Sequence, residues 1–120
     1  MDKVSLADKL AQISDQWSPK VVGRLDGYEI KLVKQQNDFV WHKYDGEDEM
    51  FLVIEESMTI DFHDRAVSLE PGEYLGVPKG VKHKPHAEIA CSVMMFEKTG
   101  VINTGDAEEG DLTRCQLERV

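Results

Sequence analysis

Four residues of the types that bind metal ions or move protons stand in two short segments of the sequence. His42, Tyr44 and Glu49 surround one predicted turn between strands, and His83 closely follows the Pro-Lys-Gly turn at residues 78–80. Two imidazoles and one carboxylate form a ligand set that suits Fe, Mn, Ni or Zn. These residue types raise the hypothesis of a site for one divalent transition metal ion. Tyr44 is either a fourth ligand or a neighbouring proton donor, and Glu49 or Tyr44 is the candidate catalytic proton carrier.

Strand geometry decides which of these side chains can meet. Residues two apart share a face of a strand, so His42 and Tyr44 point the same way. Glu49 has the parity of the apolar core residues that follow it, and a buried carboxylate is costly unless a metal ion or another cation compensates it. His86 has the opposite parity to His83, so we expect it to lie outside the site.

Each of these residues also has a structural interpretation. His42 can cap a turn, and His83 can be a core histidine that bonds a backbone carbonyl. Glu49 can pair with Lys43 or Lys82 instead of a metal ion. The spacing alone does not separate these alternatives from a metal site.

Short runs of alternating apolar residues predict the strands that must hold these side chains. Such runs, rich in β-branched and aromatic residues, fall at about 28–32, 39–42, 49–54, 58–62 and 66–69. Turn residues separate them, for example at Asp26-Gly27, Asn37-Asp38 and Pro71-Gly72. About eight strands at this spacing predict an all-β sandwich or barrel.

The residues before Pro19 have helical periodicity instead. Leu6, Leu10 and Ile13 form one apolar stripe, and Ser5 can cap its start. We predict a short helix over about 5–16 that packs on the outside of the strands.

Length and charge limit the function. The 120 residues fit one domain, and 14 Lys and Arg against 23 Asp and Glu give a net charge of −9. Such a surface repels nucleic acid and anionic membranes. Without an apolar signal segment or membrane span, we expect a cytoplasmic protein in which Cys91 and Cys115 are free thiols.

Two segments resemble the paired motifs of the cupin family. Residues 41–53 resemble the first motif, which runs Gly, five residues, His-x-His, three or four residues, Glu, six residues, Gly. Residues 72–83 resemble the second, which runs Gly, five residues, Pro-x-Gly, two residues, His, three residues, Asn, and Gly72, Pro78, Gly80 and His83 match its spacing. The resemblance covers about 20–105. It is strongest to small single-domain cupins similar to mannose-6-phosphate isomerase.

This resemblance implies a single domain over 1–120. It comprises a jelly-roll barrel, or double-stranded β-helix, over about 20–105, a short N-terminal helix and a C-terminal tail over 99–120. It also implies a metal ion at one mouth and a homodimer. Apolar residues on both faces of 50–54 agree with a second copy, because a strand with two apolar faces needs two covers.

The chain departs from the motifs at four positions, which are Gln36, Tyr44, Glu56 and Ala87. Tyr44 replaces a family histidine, which leaves His42, Glu49 and His83 as family ligands. A neutral Tyr44 leaves an open metal position for water and substrate. Glu56 replaces a Gly that takes positive φ, at a cost of about 1 kcal/mol.

Three hypotheses for function follow. The first is a metal-dependent enzyme of the isomerase, lyase or dioxygenase type that acts on a small polar metabolite. The second is a non-catalytic barrel that binds a sugar or an organic acid beside a weakened metal site. The third is a structural dimer module. The fold does not choose among them.

Overall fold

A computed structural model describes residues 2–114 and 117–120, so Cys115 lies outside the described residues. The described residues form one helix, α1 (Leu6–Leu10), and eight strands: β1 (Lys20–Leu25), β2 (Tyr28–Asp38), β3 (Glu49–Glu55), β4 (Met58–Asp61), β5 (Ala66–Leu69), β6 (Tyr74–Val77), β7 (Lys84–Lys98) and β8 (Glu118–Arg119). In the part of the chain that the structure describes, no helix is long and apolar enough to cross a membrane.

The long strand β7 organises the sheet. It pairs with β2 along one edge and with β4 and then β3 along the other, always antiparallel. Each of these neighbours pairs with further strands: β2 with β1, which in turn pairs with β8, β4 with β5, and β3 with β6. Within the described ranges β5, β6 and β8 each pair with one neighbour, so the hydrogen-bonded ladder is not the closed barrel that we predicted.

The inner faces of these strands meet in one apolar core. Its buried members are Val33, Phe51, Val53, Met58, Ile60, Leu69, Val77, Ala87, Cys91, Val93 and Met95. Because one cluster draws on six strands, the sheet must curve around it. Cys91 is a free thiol within this core, and burial raises its pKa to about 11, which keeps it unreactive.

The N-terminal helix is shorter than predicted. The expected cap is present, because Ser5 Oγ accepts a hydrogen bond from the Asp8 N–H at 3.2 Å. The helix ends at Leu10 rather than near residue 16. In the next turn, Gln12 and Ile13 donate their N–H groups to carbonyls three residues earlier instead of four. The physical reason lies at Trp17, which takes φ +57° and donates its N–H to the Lys34 carbonyl at 2.8 Å. That bond ties the chain to β2.

A second, smaller core joins the helix to the outside of the sheet. Leu10 and Ile13 pack against Val22 and Leu32, as the apolar stripe predicted. Leu32 lies on the outer face of β2, so the apolar alternation of this strand faces α1.

The predicted strand over 39–42 is not formed. β2 instead runs through the turn expected at Asn37-Asp38, and beyond it His42 makes only an isolated bridge. Phe39 directly follows β2; its N–H still donates to the Pro85 carbonyl at 2.9 Å, and its ring stacks on Trp17 with centroids 4.6 Å apart. Glu56 has φ +61°, as expected for a residue in place of the motif glycine.

The inner face of β2 carries charge. Glu29, Lys31, Val33 and Gln35 are all buried there. Lys31 Nζ lies 3.0 Å from Glu97 Oε1 on β7, and both side chains are 1% exposed. A buried ion pair is retained only when both partners stay, because either one alone is an uncompensated charge.

We expect Lys31→Met to lower the free energy of unfolding by about 3–5 kcal/mol, since Glu97 is then left buried without its cation. The double variant Lys31→Met/Glu97→Met should recover most of this loss, because it removes both charges. Urea unfolding of the wild type, both single variants and the double variant measures this cycle. A double variant no more stable than Lys31→Met would contradict the ion-pair explanation.

Candidate metal centre

The two predicted histidine ligands are paired directly through the backbone. The His42 N–H donates to the His83 carbonyl at 3.0 Å, and the His83 N–H donates to the His42 carbonyl at 2.9 Å. In such an antiparallel pair the two side chains project from the same face. The imidazole centroids are accordingly 4.4 Å apart, and both residues are fully buried.

Each imidazole is oriented by a backbone carbonyl two residues earlier. His42 Nδ1 lies 2.9 Å from the Val40 oxygen, and His83 Nδ1 lies 2.9 Å from the Val81 oxygen. A carbonyl oxygen only accepts hydrogen bonds, so Nδ1 carries the hydrogen in both rings. Each Nε2 therefore presents a lone pair, which is how metal-binding histidines are held in proteins.

Glu49 completes a group of three. It is the first residue of β3, and its Oε1 lies 2.9 Å from His83 Nε2 and 3.9 Å from His42 Nε2. One ligand atom from each of the three residues lies within 4.8 Å of the others. The structure thus brings together His42, Glu49 and His83. Lys43, the alternative partner of Glu49, pairs with Asp45 at 2.8 Å instead.

Burial sets the protonation of this group. It raises the pKa of Glu49 to about 7, and burial followed by the nearby His83 lowers the pKa of His42 to about 4. Burial also lowers the pKa of His83. Both rings are neutral near pH 7, where Glu49 titrates, and in its protonated form Glu49 donates the hydrogen of the 2.9 Å contact to His83. The proton on Glu49 neutralises the carboxylate at the position where a bound cation would do so instead.

The donor set fits a divalent transition metal ion. Two neutral imidazole nitrogens and one carboxylate oxygen are the ligands that such ions prefer. Glu49 Oε2 is also buried, and it has no hydrogen-bond partner in the described part of the chain. The carboxyl of Glu97 interacts with Glu49 and can share a proton with it, so the case for a cation rests on the three converging ligand atoms rather than on this oxygen.

Tyr44 lies next to this group with its hydroxyl already used. The hydroxyl donates to the Asn103 carbonyl at 3.0 Å. The Tyr44 and His42 rings meet edge to face, with their centroids 5.4 Å apart. Burial, followed by the nearby Glu49, raises the pKa of Tyr44 well above its usual range, so the group stays a neutral phenol.

A tail segment over 103–106, which the sequence analysis did not assign to the site, packs against the back of His42. The Lys43 N–H donates to Asp106 Oδ1 at 2.8 Å, and the Asp106 N–H donates to the Lys43 carbonyl at 3.2 Å. Gly105 has φ +56°, and a Cβ there would lie 2.6 Å from the Lys43 oxygen and 3.0 Å from His42 Cδ2. Only glycine allows this approach.

A second buried carboxyl, Glu97, was also missed. Met50 pairs with Phe96 across β3 and β7, which places Glu49 opposite Glu97 on the inner face. Their carboxyl groups interact, and burial together with Glu49 raises the pKa of Glu97. The sequence contained a signal, since Glu97 shares the parity of the core residues Val93 and Met95.

The remaining histidines lie apart from the group. His86 Nε2 is 3.3 Å from Asp61 Oδ1 on the outer face, in agreement with its parity. His63 stacks on Trp41 with centroids 4.9 Å apart, near the protein surface.

Two solved structures are similar to this chain over most of their length. A cupin-2 domain containing protein from Shewanella frigidimarina NCIMB 400 is 39% identical over 79% of this chain and 93% of its own, with a TM-score of 0.79. The chain is a cupin. Protein NMB1881 from Neisseria meningitidis is 32% identical to this cupin over 82% of the chain and 100% of its own, with a TM-score of 0.75.

The less similar proteins add support for the fold but not for a function. No family model matches this cupin. The uncharacterized protein YdbB of Bacillus subtilis (strain 168) is 26% identical over 69 residues, which are 57% of this cupin and 61% of YdbB, so the match spans about three-fifths of that relative. Hydroquinone 1,2-dioxygenase PnpCD, solved with Cd²⁺ and 4-hydroxybenzonitrile, is 16% identical over 77% of this cupin and 70% of that chain, with a TM-score of 0.65.

We expect Gly105→Ala to disturb His42 as well as the backbone. A Cβ at this position combines the cost of positive φ with overpacking, which together lower the free energy of unfolding by about 2–4 kcal/mol. Gly100→Ala is the matched control, because Gly100 also has positive φ, +90°, but has open space around it. The control should lose only about 1 kcal/mol.

Urea unfolding and calorimetric titration with Zn²⁺ measure both effects. Gly105→Ala should weaken Zn²⁺ binding, and Gly100→Ala should not. Equal losses in the two variants would show that the tail does not position His42.

Proposed function

We propose that this cupin is an enzyme that binds one divalent transition metal ion through His42, Glu49 and His83 and acts on a small molecule. One observation carries the proposal. Two imidazole Nε2 atoms and a carboxylate oxygen converge in a buried site, and both rings are locked by backbone carbonyls at 2.9 Å. A histidine pair that served only packing would not need both lone pairs aimed at one carboxylate.

The chain's own residues have separate roles in this proposal. His42 and His83 hold the ion as neutral ligands, and Glu49 supplies the compensating charge. A bound ion would supply Lewis-acid polarisation of a carbonyl or hydroxyl oxygen of the substrate. Tyr44 keeps its proton, so we assign it as a neutral residue beside the ligands rather than as a fourth ligand; to donate to a substrate it would have to give up its bond to the Asn103 carbonyl. The burial of the group excludes bulk water.

The isomerase, lyase and dioxygenase types all suit this arrangement, and the oxygenase type is the first to test. A dioxygenase of the same fold, PnpCD, has been solved with Fe³⁺ as well as Cd²⁺. The alternative is a non-catalytic barrel that holds a small molecule without turnover. Homodimerisation, a cytoplasmic location and the lack of nucleic-acid binding stay predictions.

The metal content of tag-free protein tests the ligand set. After reconstitution with Fe²⁺, Mn²⁺, Ni²⁺ or Zn²⁺, plasma mass spectrometry should find close to one equivalent of a preferred ion in the wild type. His42→Ala and His83→Ala should each weaken binding by about 100-fold or more, because each removes one of three ligands. Tyr44→Phe should retain the ion.

His86→Ala is the matched control for these variants, because His86 lies near His83 in sequence but bonds Asp61 on the outer face. It should keep the metal content of the wild type. Wild-type protein that holds less than about a tenth of an equivalent of every ion tested would refute the metal site.

The mass difference between substrate and product distinguishes the three reaction types. The metal-loaded protein is incubated under ¹⁸O₂ with a mixture of small metabolites, and His83→Ala serves as the inactive control. A dioxygenase yields a product that gains ¹⁸O, an isomerase a product of unchanged mass, and a lyase two smaller products. A compound that is retained without conversion, with no product in any class, would support the binding barrel over the enzyme.

A further inference from the structure

The candidate metal centre is buried beneath the protein surface. His42, Glu49 and His83 are each at most 2% exposed. The cavity beside His42 and Glu49 has a volume of about 20 Å³, which is room for one water molecule and not for a substrate. If this cupin acts on a small molecule, part of the wall around the site must therefore move.

Three sides of the site are fixed by the fold. Phe51, which lines the cavity, belongs to the apolar core. The buried Lys31–Glu97 ion pair, with its two atoms 3.0 Å apart, occupies the inner faces of β2 and β7. The tail over 103–106 exchanges two hydrogen bonds with Lys43, the residue after the first histidine ligand. Movement of any of these would disturb the core, separate a buried ion pair or displace a ligand.

The remaining side is covered by the connector between α1 and β1, which we define as residues 14–19. Two of its residues, Trp17 and Pro19, line the cavity. The Trp17 ring stacks on the Phe39 ring with centroids 4.6 Å apart. Because residues 14–16 are exposed, this pair of rings is the outermost layer between the cavity and solvent.

Trp17 is held in a backbone conformation that a side chain disfavours. Its φ of +57° lies in the left-handed region, which costs any residue other than glycine free energy. Two hydrogen bonds to β2 hold it there: the backbone N–H donates to the Lys34 carbonyl and the indole Nε1–H donates to the Gln36 carbonyl, both at 2.8 Å. Toward the tail the bond is long, since Asn103 Nδ2 lies 3.4 Å from the Trp17 carbonyl. A strained residue that covers a buried site is typical of lids and switch segments.

We propose that the connector is a hinged cover over the candidate metal centre, and that Trp17 opens and closes access to it. In the open state Trp17 leaves the left-handed conformation and its two bonds to β2 break. Its side chain then uncovers Phe39, whose ring meets the His42 ring edge to face with centroids 5.4 Å apart. The inference rests on the proposed function, because only a site that takes up a ligand needs such a cover.

Both ends of the connector are anchored, which allows it to swing without disturbing the sheet. Before it, Ile13 is buried in the second core, and its carbonyl accepts a hydrogen bond from Lys34 Nζ at 2.6 Å. After it, Lys20 begins β1. Asp15 pairs with Lys20 Nζ at 3.0 Å, so this ion pair joins the connector to its own end. Element-terminal residues of this kind commonly serve as the hinges of lids.

Chemical modification of His42 measures access to the site directly. Diethyl pyrocarbonate, a small reagent that acylates neutral imidazole nitrogens, is added to metal-free protein near pH 7, and peptide mass spectrometry identifies the modified residues. His86, which is partly exposed on the outer face, is the internal reference. In the wild type, His42 should react about tenfold or more slowly than His86, because it reacts only when the cover is open.

Two substitutions of Trp17 should open the cover to different degrees. Trp17→Ala removes the ring stack and the indole hydrogen bond, so His42 should react about tenfold or more faster than in the wild type. Trp17→Phe keeps a ring but loses the Nε1–H donor, so the increase should be about threefold. The rate at His86 should be unchanged in both variants.

Two controls separate opening of the cover from a general loss of stability. Trp41→Ala removes the other tryptophan, which stacks on His63 near the surface, and should leave the His42 rate unchanged. Leu69→Ala removes a buried core side chain on β5. It should lower the urea midpoint at least as much as Trp17→Phe does, without accelerating the modification of His42.

The kinetics of Zn²⁺ exchange give a second readout that a merely structural role would not produce. Trp17 contributes no atom to the group of three ligands, so a cover slows uptake and release of the ion alike. In Trp17→Ala both rates should rise by the same factor, about tenfold, while the Kd stays within about threefold of the wild-type value. Stopped-flow measurements with a chromogenic chelator give both rates.

The cover is refuted if His42 reacts as fast as His86 in the wild type, if neither Trp17 variant accelerates the reaction, or if Leu69→Ala accelerates it as much. A change in the Zn²⁺ release rate without a matching change in uptake would also refute it. The histidine modification uses no metal ion, so it can reveal the cover in a protein that binds no ion. Conversely, a protein that binds its ion can show no dependence on Trp17, so the two failures are distinguishable.

Discussion

The placement of a carboxyl group in the apolar interior is the constraint on which the rest of this structure depends. Glu49 shares the inner face of β3 with Phe51 and Val53, where a lone carboxylate would be strongly unfavourable. Two features compensate it: His83 lies at 2.9 Å, and Glu49 takes up a proton as the pH falls through neutrality, since burial raises its pKa to about 7. A cation at the same place would remove the need for that proton, so stability and metal binding depend on one residue.

Beyond Glu49, further buried charges compensate one another along the inner faces of β7 and β2. Glu97 lies opposite Glu49 and bonds Lys31, which lies 3.9 Å from Glu29. Glu29 is in turn 3.2 Å from the exposed Arg24. The buried carboxyl groups are thus linked to solvent by alternating charges. This arrangement explains how the sheet tolerates so many ionisable groups in its interior, because each removal would expose the next group as an unpaired charge.

The sequence predicted which polar side chains meet better than it predicted the bounds of the elements that carry them. Parity placed Glu49 inside and His86 outside, because it depends only on local strand geometry, whereas the meeting of His42 with His83 was implied by the resemblance to the cupin motifs. The polar inner face of β2 escaped prediction, since alternation shows two faces and does not say which one is inside. α1 covers the apolar face of this strand, which leaves Lys31 and Gln35 within. The early end of α1 could not be predicted from local sequence either, because it depends on the long-range hydrogen bond from the Trp17 N–H to the Lys34 carbonyl.

The positions where the structure departs from good packing point to one region. In the described part of the chain, the buried side-chain oxygens that have no hydrogen-bond partner belong to Gln35, Glu49 and Glu97. Gln35 and Glu49 both line a small cavity beside His42, and the Glu97 carboxyl interacts with Glu49. Three orphan oxygens spread at random would indicate imperfect packing. Gathered beside His42 and His83, they mark the region in which the chain keeps polar atoms in its interior, as expected if an ion or a ligand binds there.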